Sequence, residues 1–264
     1  MLLITDDLAR RLESAEALDG AGCAESQLRL YPGSGAIVKP IAGGAAVFCG
    51  SQSPLTHALG VGMHGAVTTK ELHEIESFYR ERDCPVVIDV CPHSDPTLRE
   101  LLVQRGYRLT EFASVLVRTL PSEIQLCDIE VRSAHEDDEE TYVRVVVGGF
   151  MSRPELNEEE VMLGRTLFHM PCTRPYLGFV EGVAAGGGTI STRNRVASLF
   201  ADATLPEFRG RGVHTALIRA RLKYATESGC ELATAGTMPG STSQRDYERL
   251  GFQVAYTKAT MVLE

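Results

Sequence analysis

One stretch decides the fold: Thr204-Leu205-Pro206-Glu207-Phe208-Arg209-Gly210-Arg211-Gly212-Val213-His214-Thr215-Ala216-Leu217. Pro206 ends the hydrogen-bond ladder of the strand before it, and the glycines that follow permit a tight backbone path. The helix that begins near Val213 has unpaired amides and the positive end of its dipole at its first turn. A strand, a glycine-rich turn and a helix in this order can bind a pyrophosphate, to which Arg209 and Arg211 add positive charge. The alternative is an ordinary turn whose arginines face solvent.

An internal repeat organises the chain, because each half carries a helix, a strand, a helix, a Gly-aromatic pair and a closing strand in that order. In the first half, the capping box of Thr68 and Glu71 begins a helix that is followed by the strand 85–90. Asp95-Pro96 then begins a second helix, which is followed by the pair Gly106-Tyr107 and the strand 108–118. In the second half they are a helix from Val213, the strand 231–237, a helix over 243–250, the pair Gly251-Phe252 and the strand 253–262. We interpret the repeat as a duplication; chance similarity between common elements is the alternative.

Two domains are expected from the length of 264 residues. Leu120-Pro121-Ser122-Glu123 interrupts the repeat and predicts a linker, which sets the domains at 1–122 and 128–264. The second domain is predicted to begin with a strand at 129–132, a helix over 133–150 whose capping box is Ser133 and Glu136, a helix after Asn157, and strands at 174–180, 183–192 and 196–205. Gly186-Gly187-Gly188 in the middle strand indicates a bulge or a close backbone approach.

Composition narrows the classes of function. The formal net charge of -9 opposes binding to nucleic acid, and the chain contains no apolar run long enough to span a membrane. The apolar start of the chain lacks a basic flank, so we do not expect secretion. The seven cysteines are scattered without a C-x-x-C pair, which favours a cytoplasmic protein with free thiols and no metal site.

A second motif lies downstream, in Ser243-Gln244-Arg245-Asp246-Tyr247-Glu248-Arg249-Leu250-Gly251-Phe252. With the glycine-rich turn, it makes residues 129–264 resemble the GNAT superfamily of N-acetyltransferases. That superfamily carries R-x-x-G-x-G/A at its pyrophosphate loop, matched here by Arg209 and Gly212. It also carries Y-x-x-x-G-F on a later helix, matched here by Tyr247 and by Gly251-Phe252.

Two positions depart from the superfamily pattern. His214 stands where the loop usually has Gly or Ala, although its backbone N–H can still face a phosphate. Gly240 stands where many members have an Asn near the pantetheine arm of the cofactor. We expect Ser243 to replace that contact.

The resemblance implies an α/β fold of two tandem GNAT-like acyl-CoA N-acyltransferase domains, each with a splayed mixed β-sheet flanked by helices. It implies that acetyl-CoA is the cosubstrate, that a small-molecule or peptide amine attacks it directly, and that Tyr247 protonates the departing thiolate. The general base is left unassigned between Glu207, Asp202 and other groups. The residues implied to bind acetyl-CoA are Thr204, Leu205, Arg209, Gly210, Arg211, Gly212, Val213, His214, Thr215 and Ser243.

The first half resembles a degenerate member of the same superfamily. Met63-His64-Gly65-Ala66-Val67-Thr68 replaces the arginine-containing turn, and Leu102 stands where the second half has Tyr247. We therefore predict a catalytically silent domain that completes the fold, walls the substrate site or pairs chains into a homodimer. A non-catalytic acetyl-CoA sensor stays open as an alternative for the whole protein. A dinucleotide-binding oxidoreductase is disfavoured because Glu231 lies at the start, not the end, of the strand after the turn.

Overall fold

The structure is a computed structural model that describes residues 2–121, 124–125 and 127–264. The chain forms two compact units. The amino-terminal unit contains Met1–Val115, Thr237–Ser241 and Val254–Glu264, and the carboxy-terminal unit contains Leu116–Gly236 and Thr242–Gln253. Ser122 and Glu123 of the predicted linker lie outside the described residues, and the domain limits at 122 and 128 stay a prediction.

The elements, in chain order, are α1 (Asp6–Leu30), β1 (Ile37–Ile41), β2 (Gly44–Phe48), β3 (Ala58–Leu59), α2 (Thr69–Arg80), β4 (Val86–Val90), α3 (Pro96–Gln104), β5 (Arg108–Thr119), β6 (Glu130–Ser133), α4 (Glu139–Met151), α5 (Glu158–Phe168), β7 (Thr173–Val180), β8 (Val183–Arg193), β9 (Val196–Thr204), α6 (Val213–Glu227), β10 (Leu232–Thr237), α7 (Thr242–Arg249) and β11 (Gln253–Leu263). The mixed α/β fold predicted from the sequence is confirmed, with mixed β-sheet flanked by helices in each unit.

In the amino-terminal unit, the strands lie in the order β1-β2-β3-β4-β11. β3 and β4 are parallel, and the other pairs in this series are antiparallel. The long helix α1 begins where Thr5 accepts a hydrogen bond from the Leu8 amide and where two aspartates occupy the first turn, so both cap and charge favour its start. α1 packs on β1, β2 and β3, and α2 packs on β2 and β4.

In the carboxy-terminal unit, the strands lie in the order β10-β9-β8-β7-β6, with β9 and β10 parallel and the others antiparallel. α6 packs on β7, β8 and β9, while α4 packs on β8 and β9. The core of this unit is apolar and includes Leu217, Ile218 and Leu222 of α6 together with Tyr247 and Phe252. Removal of these side chains from water is the main force that fixes the helix on the sheet.

The two halves contain equivalent hydrogen bonds and have the same order of elements. The amide of Tyr107 donates to Leu102 O at 3.1 Å, and the amide of Phe252 donates to Tyr247 O at 3.2 Å. The intervening glycines, Gly106 and Gly251, have φ values of 78° and 82°. Each helix therefore ends at a left-handed glycine with the same bonds. The predicted repeat is confirmed at these positions, including the equivalence of Leu102 and Tyr247.

The predicted start of the helix before residue 150 is wrong. Ser133 belongs to β6 and pairs with Tyr176 of β7, so it does not cap a helix. The His135 amide instead donates to Asp138 Oδ2 at 2.8 Å, and α4 begins at Glu139. Strand pairing extends β6 to Ser133 and moves the helix start along the chain. The helix after Asn157 is confirmed, with Asn157 and Glu160 forming its capping box.

Among the described residues, no helix has the length and apolar character needed to cross a membrane. Within the same residues, no group of three or more His, Cys, Asp or Glu side chains is arranged to bind a metal ion.

Candidate active site

β9 and β10 separate near the end of β9. Their parallel register pairs Val196–Leu199 with Leu232–Ala235. Beyond Leu199, β9 continues its register with β8 as far as Thr204, whereas its register with β10 ends, as far as the described residues show. The end of this pairing agrees with the splay expected after this strand, and the opening itself stays a prediction. We call the region beyond the last β9–β10 pair, bordered by the end of β9, the notch.

A β-bulge changes the course of β9 just before the notch. Gly187 of β8 pairs with Ala203 of β9, and Thr189 pairs with Phe200. Between these two pairs β9 therefore contains one residue more than β8. Ala201 lies within this interval and has a φ of 56°. A bulge leaves one residue outside the ladder and increases the local twist of its strand. It therefore turns the end of β9 away from regular pairing.

The close backbone approach predicted from the glycine run of β8 is confirmed at Gly186, whereas Gly188 lies against buried side chains. A Cβ on Gly188 would lie 2.7 Å from Arg221 Nη1 and closer still to Asp202 Oδ1. A Cβ on Gly186 would lie 2.6 Å from Ala203 O. Both distances are too short for any real Cβ contact, so only glycine fits at these positions without movement of the neighbouring strand or side chains.

The turn after β9 presents a set of backbone amides. Gly210 and Gly212 have φ values of 75° and 84°, a left-handed conformation that favours glycine. Gly212 precedes α6 without a side-chain cap, and the first amide to bond back is that of Ala216, to Gly212 O at 3.0 Å. Within the described part of the chain, the amides from Gly210 to Thr215 have no acceptor. Free amides at a helix N-terminus form a binding site for an anion.

The side chain of Arg209 links the end of β9 to the end of α4. Its Nε donates to Thr204 O at 3.2 Å, and its Nη2 donates to Gly149 O and to Ser152 Oγ, each at 3.0 Å. A phosphate contact made by this side chain would compete with these acceptors. The predicted contact with pyrophosphate stays a prediction, and the structural contacts explain why an arginine stands here.

The other residues predicted to bind the cofactor lie in the same unit. Leu205 is buried, and its amide donates to Ala185 O at 2.9 Å. Arg211 pairs with the exposed carboxylate of Glu181 at 2.6 Å. Ser243 lies half-buried in the first turn of α7. Their roles stay predictions.

A charged cluster is buried beneath α6 and the bulge. Arg221 is fully buried; its Nη2 pairs with Asp202 Oδ1 and its Nη1 donates to Thr189 O at 2.9 Å. The hydroxyl of Tyr247, a side chain only 1% exposed, donates to Asp202 Oδ2. Asp202 therefore accepts from a guanidinium and a phenol at once, which is the satisfaction that a buried carboxylate requires.

His214 joins this cluster from the first turn of α6. Its Nδ1 lies 3.1 Å from Asp246 Oδ2, and its Nε2 lies 3.8 Å from Asp202 Oδ2. Its ring packs edge-on against that of Tyr247, with centroids 5.7 Å apart. The imidazole thus bridges a carboxylate of β9 and one of α7.

The cluster shifts the pKa of each member. Burial opposes ionisation of Asp202, but attraction to Arg221 and the contacts with His214 and Tyr247 together outweigh burial and lower the pKa of Asp202. Burial also disfavours the imidazolium, yet the hydrogen bond and attraction to Asp202 raise the pKa of His214 above its ordinary value. Burial first, and then the charge of Asp202, raise the pKa of Tyr247 well above its ordinary range. At neutral pH the phenol therefore keeps its proton.

Tyr247 is the residue predicted to protonate the thiolate. Its hydroxyl lies in the buried cluster with its proton directed to Asp202. Nothing in the structure tests transfer of that proton, so the catalytic role of Tyr247 stays a prediction.

Sequence reasoning missed Arg221 as part of the site. One signal was present: α6 buries Leu217, Ile218, Leu222 and Ala225 on one stripe, and a charged Arg221 falls inside that stripe. A charged side chain within an apolar stripe requires a buried partner of opposite charge. The glycines of β8 were a second signal, because a strand without side chains leaves room for a large buried group beside it.

The corresponding helix of the amino-terminal unit begins differently. Thr68 Oγ1 accepts from the Glu71 amide at 3.2 Å, and Glu71 Oε2 accepts from the Thr68 amide at 2.8 Å. The start of α2 is therefore capped by its own side chains and carries a negative charge. Both features oppose an anion at this position, in contrast to the uncapped start of α6.

Comparisons with known proteins agree with this geometry. A model of the acetyltransferase (GNAT) family matches residues 131–252. The fold is similar to that of a GCN5-related N-acetyltransferase from Kribbella flavida, with 17% identity, coverage of 92% of this chain and 95% of that chain, and a TM-score of 0.66. It is also similar to a tandem GNAT protein from the clavulanic acid biosynthesis pathway, with 14% identity, coverage of 98% and 94%, and a TM-score of 0.60.

A third similar structure is a GCN5-related N-acetyltransferase from Sphaerobacter thermophilus, with 17% identity, coverage of 97% of this chain and 93% of that chain, and a TM-score of 0.56. The comparison with curated proteins returned no match. At these identities the structural similarities concern the fold, whereas the family model concerns the sequence. Residues 131–252 therefore form a domain of the acetyltransferase (GNAT) family, within a chain whose fold is shared with GNAT proteins that include a tandem one.

Proposed function

We propose that the carboxy-terminal unit binds acetyl-CoA and transfers its acetyl group to the amine of a small molecule or peptide. The observation that carries this proposal is the row of free amides from Gly210 to Thr215 beside the notch at the end of β9. In this proposal the amides and the helix dipole bind the diphosphate of the cofactor. The unpaired edge of β9 at the notch forms hydrogen bonds with the amide groups of the pantetheine arm. Membership of residues 131–252 in an acetyltransferase family supports the same chemistry.

The proposed reaction is a direct displacement. The neutral amine attacks the thioester carbon, the new C–N bond forms, and the C–S bond breaks. A backbone N–H near Thr204, other than the Leu205 amide that already bonds Ala185 O, donates to the carbonyl oxygen as negative charge develops, an interaction typically worth about 3 kcal/mol. The thiolate takes a proton from Tyr247 in this proposal, and the amine releases one to solvent.

A charge substitution at the helix start tests the diphosphate site. Thr215→Glu adds a carboxylate in the first turn of α6, where negative charge is favourable to the helix but repels a bound diphosphate. We expect the dissociation constant for acetyl-CoA, measured by calorimetry, to rise by roughly tenfold or more, from loss of about 1.4 kcal/mol or more of binding free energy. Thr215→Gln is the matched neutral control and should bind as the wild type does. Equal affinities for the Glu and Gln variants would refute the assignment.

Transfer is tested separately from binding. Incubation with labelled acetyl-CoA and a panel of primary amines, followed by mass spectrometry, should detect an acetylated amine. Tight cofactor binding with no acetylated product across the panel would favour the sensor alternative.

We further propose one cofactor site per chain, since the start of α2 is capped by Thr68 and Glu71. Calorimetric titration with acetyl-CoA should give a stoichiometry near one. A second equivalent site would contradict the predicted silence of the amino-terminal domain.

A further inference from the structure

His214 is the residue in the turn that departs from the superfamily pattern, and its side chain does not lie among the free amides. The ring is only 19% exposed and is directed at Asp202, Asp246 and Tyr247. Its contacts therefore connect the first turn of α6 with the helix that carries the proposed acid.

Asp202 Oδ2 is the shared atom in this arrangement. It accepts from the Tyr247 hydroxyl and lies 3.8 Å from His214 Nε2. The other carboxylate oxygen of Asp202 is engaged by the buried Arg221. The groups thus lie in series from a partly exposed imidazole, at ion-pair distance from a carboxylate, to a buried phenol that is hydrogen-bonded to the same carboxylate oxygen.

The phenol alone is a poor source of protons for repeated turnover. A carboxylate that accepts from Tyr247 resists formation of the phenolate, because two negative charges would then share a buried site. The phenolate would also be shielded from solvent, as the side chain is 1% exposed. A nearby cation that can give up a proton removes both difficulties.

We propose that His214 is a positioning residue that acts through Asp202 to keep Tyr247 protonated during acetyl transfer. The inference rests on the proposed function. As the C–S bond breaks, the Tyr247 O–H bond breaks and an S–H bond forms. Asp202 takes a proton from His214 Nε2 and passes it to the phenolate oxygen, so Asp202 ends as the carboxylate that it was at the start. The neutral imidazole then recovers a proton from solvent, to which its side chain is 19% exposed.

The proton on His214 is controlled by groups on three elements. Asp202 of β9 and Asp246 of α7 favour the imidazolium, and Arg221 of α6 opposes it. Arg249 of α7 pairs with Asp246 at 3.2 Å and moderates that carboxylate. Because the carboxylates prevail over burial and Arg221, the pKa of His214 lies above its ordinary value, and the imidazolium is lost as pH rises through that raised pKa.

The test is the pH profile of turnover with acetyl-CoA and the amine panel. In the wild type, kcat should fall as pH rises through the titration of His214. His214→Gln retains a side chain of similar reach that can donate and accept hydrogen bonds, but it cannot supply a proton. We expect kcat to fall by about tenfold or more at neutral pH, within the range typical of proton-transfer groups. The fall of kcat with rising pH, the limb of the profile assigned to His214, should disappear. The affinity for acetyl-CoA should change little, and the melting temperature reports separately any stability lost with the buried imidazolium.

Asp246→Asn separates proton supply from structure. It leaves the imidazole in place but removes one carboxylate that favours its charge, so the limb should shift to lower pH without disappearing. His169→Gln is the control, because His169 pairs with Glu139 at 2.8 Å elsewhere in the same unit and should leave the profile unchanged. A purely structural role for His214 would lower activity equally at all pH values.

A second readout needs no acceptor. The thiol of bound CoA, followed by thiolate absorbance, should ionise more readily in the wild type than in His214→Gln, because the imidazolium and the donated hydrogen bond favour the thiolate. Identical thiol titrations, or a His214→Gln enzyme that keeps the wild-type limb, would overturn the inference. Failure of the wild type to bind acetyl-CoA would instead overturn the proposed function.

Discussion

Gly188 of β8 provides the sharpest test of how the site is built. Alanine at this position would place a Cβ 2.7 Å from Arg221 Nη1 and 2.9 Å from Arg221 Cζ, and closer still to Asp202 Oδ1. The backbone of Gly188 is outside the left-handed region, so alanine introduces no backbone strain there. The cost of Gly188→Ala therefore comes from displacement of the buried ion pair.

The size of the effect follows from two limits. Overpacking a core by one methyl group typically costs about 1–3 kcal/mol. Separating a buried ion pair so that one charge loses its partner costs about 3–5 kcal/mol. Arg221 is fully buried and retains its bond to Thr189 O, so we expect partial separation and a loss of about 2–4 kcal/mol in the free energy of unfolding.

The assay is urea denaturation followed by far-ultraviolet circular dichroism, because the chain has no tryptophan to report by fluorescence. Gly236→Ala is the matched control. Gly236 is also a strand glycine outside the left-handed region, and a Cβ there would meet nothing within 4 Å. This variant should be neutral or more stable by up to about 1 kcal/mol. Equal unfolding free energies for the two alanine variants would refute the packing argument.

Two further predictions concern buried polar groups. Burial raises the pKa of Glu13 to about 7 despite the opposing charge of Lys258, so this group favours the folded state at low pH and that contribution is lost as pH rises through about 7. Glu13→Gln should remove this dependence. In urea titrations, the unfolding free energy of the variant minus that of the wild type should therefore increase between pH 5 and pH 8. A difference that stays constant with pH would contradict the assignment. Tyr247→Phe removes a buried donor to the Asp202 carboxylate and should lower the unfolding free energy by about 1.5–3 kcal/mol. Tyr142→Phe, whose hydroxyl lies 2.5 Å from the neutral hydroxyl of Thr189, should cost less, about 0.5–1.5 kcal/mol, and the reverse order would contradict the role of charge.

Elements with local start and stop signals were predictable from the sequence. The helices α2 and α5 begin at capping boxes that the sequence displays, at Thr68 and Asn157. The helices α3 and α7 stop two residues before Gly106 and Gly251, each of which is followed by an aromatic residue. Such boundaries are decided by neighbours a few residues away, so a local pattern is sufficient to find them.

The first 60 residues were not assigned, and the structure shows the physical reason. The buried face of α1 carries small or polar residues such as Ala15, Asp19 and Gln27 alongside Glu13. A helix whose inward face is partly polar has little apolar periodicity to detect. Several of its polar groups bond to distant partners, such as Glu13 to Tyr256 and Gln27 to Cys49 O, which no local pattern reveals. The strand β3 has only two residues and is too short for a periodic signal.

At the site, the sequence located the turn but not its supports. The turn from Arg209 to Thr215 was identified because glycine and proline act on their own backbone. The contacts of Arg209 with Gly149 and Ser152 and the pairing of Arg221 with Asp202 join residues far apart in the chain. Their existence depends on the tertiary fold, so sequence reasoning predicted the residue types without their partners.

The buried pair of Arg221 and Asp202 is better explained by the path of β9 than by stability. Replacing a buried ion pair by apolar side chains is often neutral or stabilising, so such a pair is weak support for a stability role. Here the carboxylate follows the bulged Ala201, and the guanidinium lies over Gly188 of the neighbouring strand. We infer that a shift of β9 into continued register with β10 would strain this ion pair, because the bulge at Ala201 sets the position of the carboxylate that follows it. The pair therefore penalises closure of the notch, and Arg209 acts to the same end by bonding Thr204 O to the end of α4. Both sets of contacts lie within the carboxy-terminal unit, so we infer that the end of β9 is held by the fold itself.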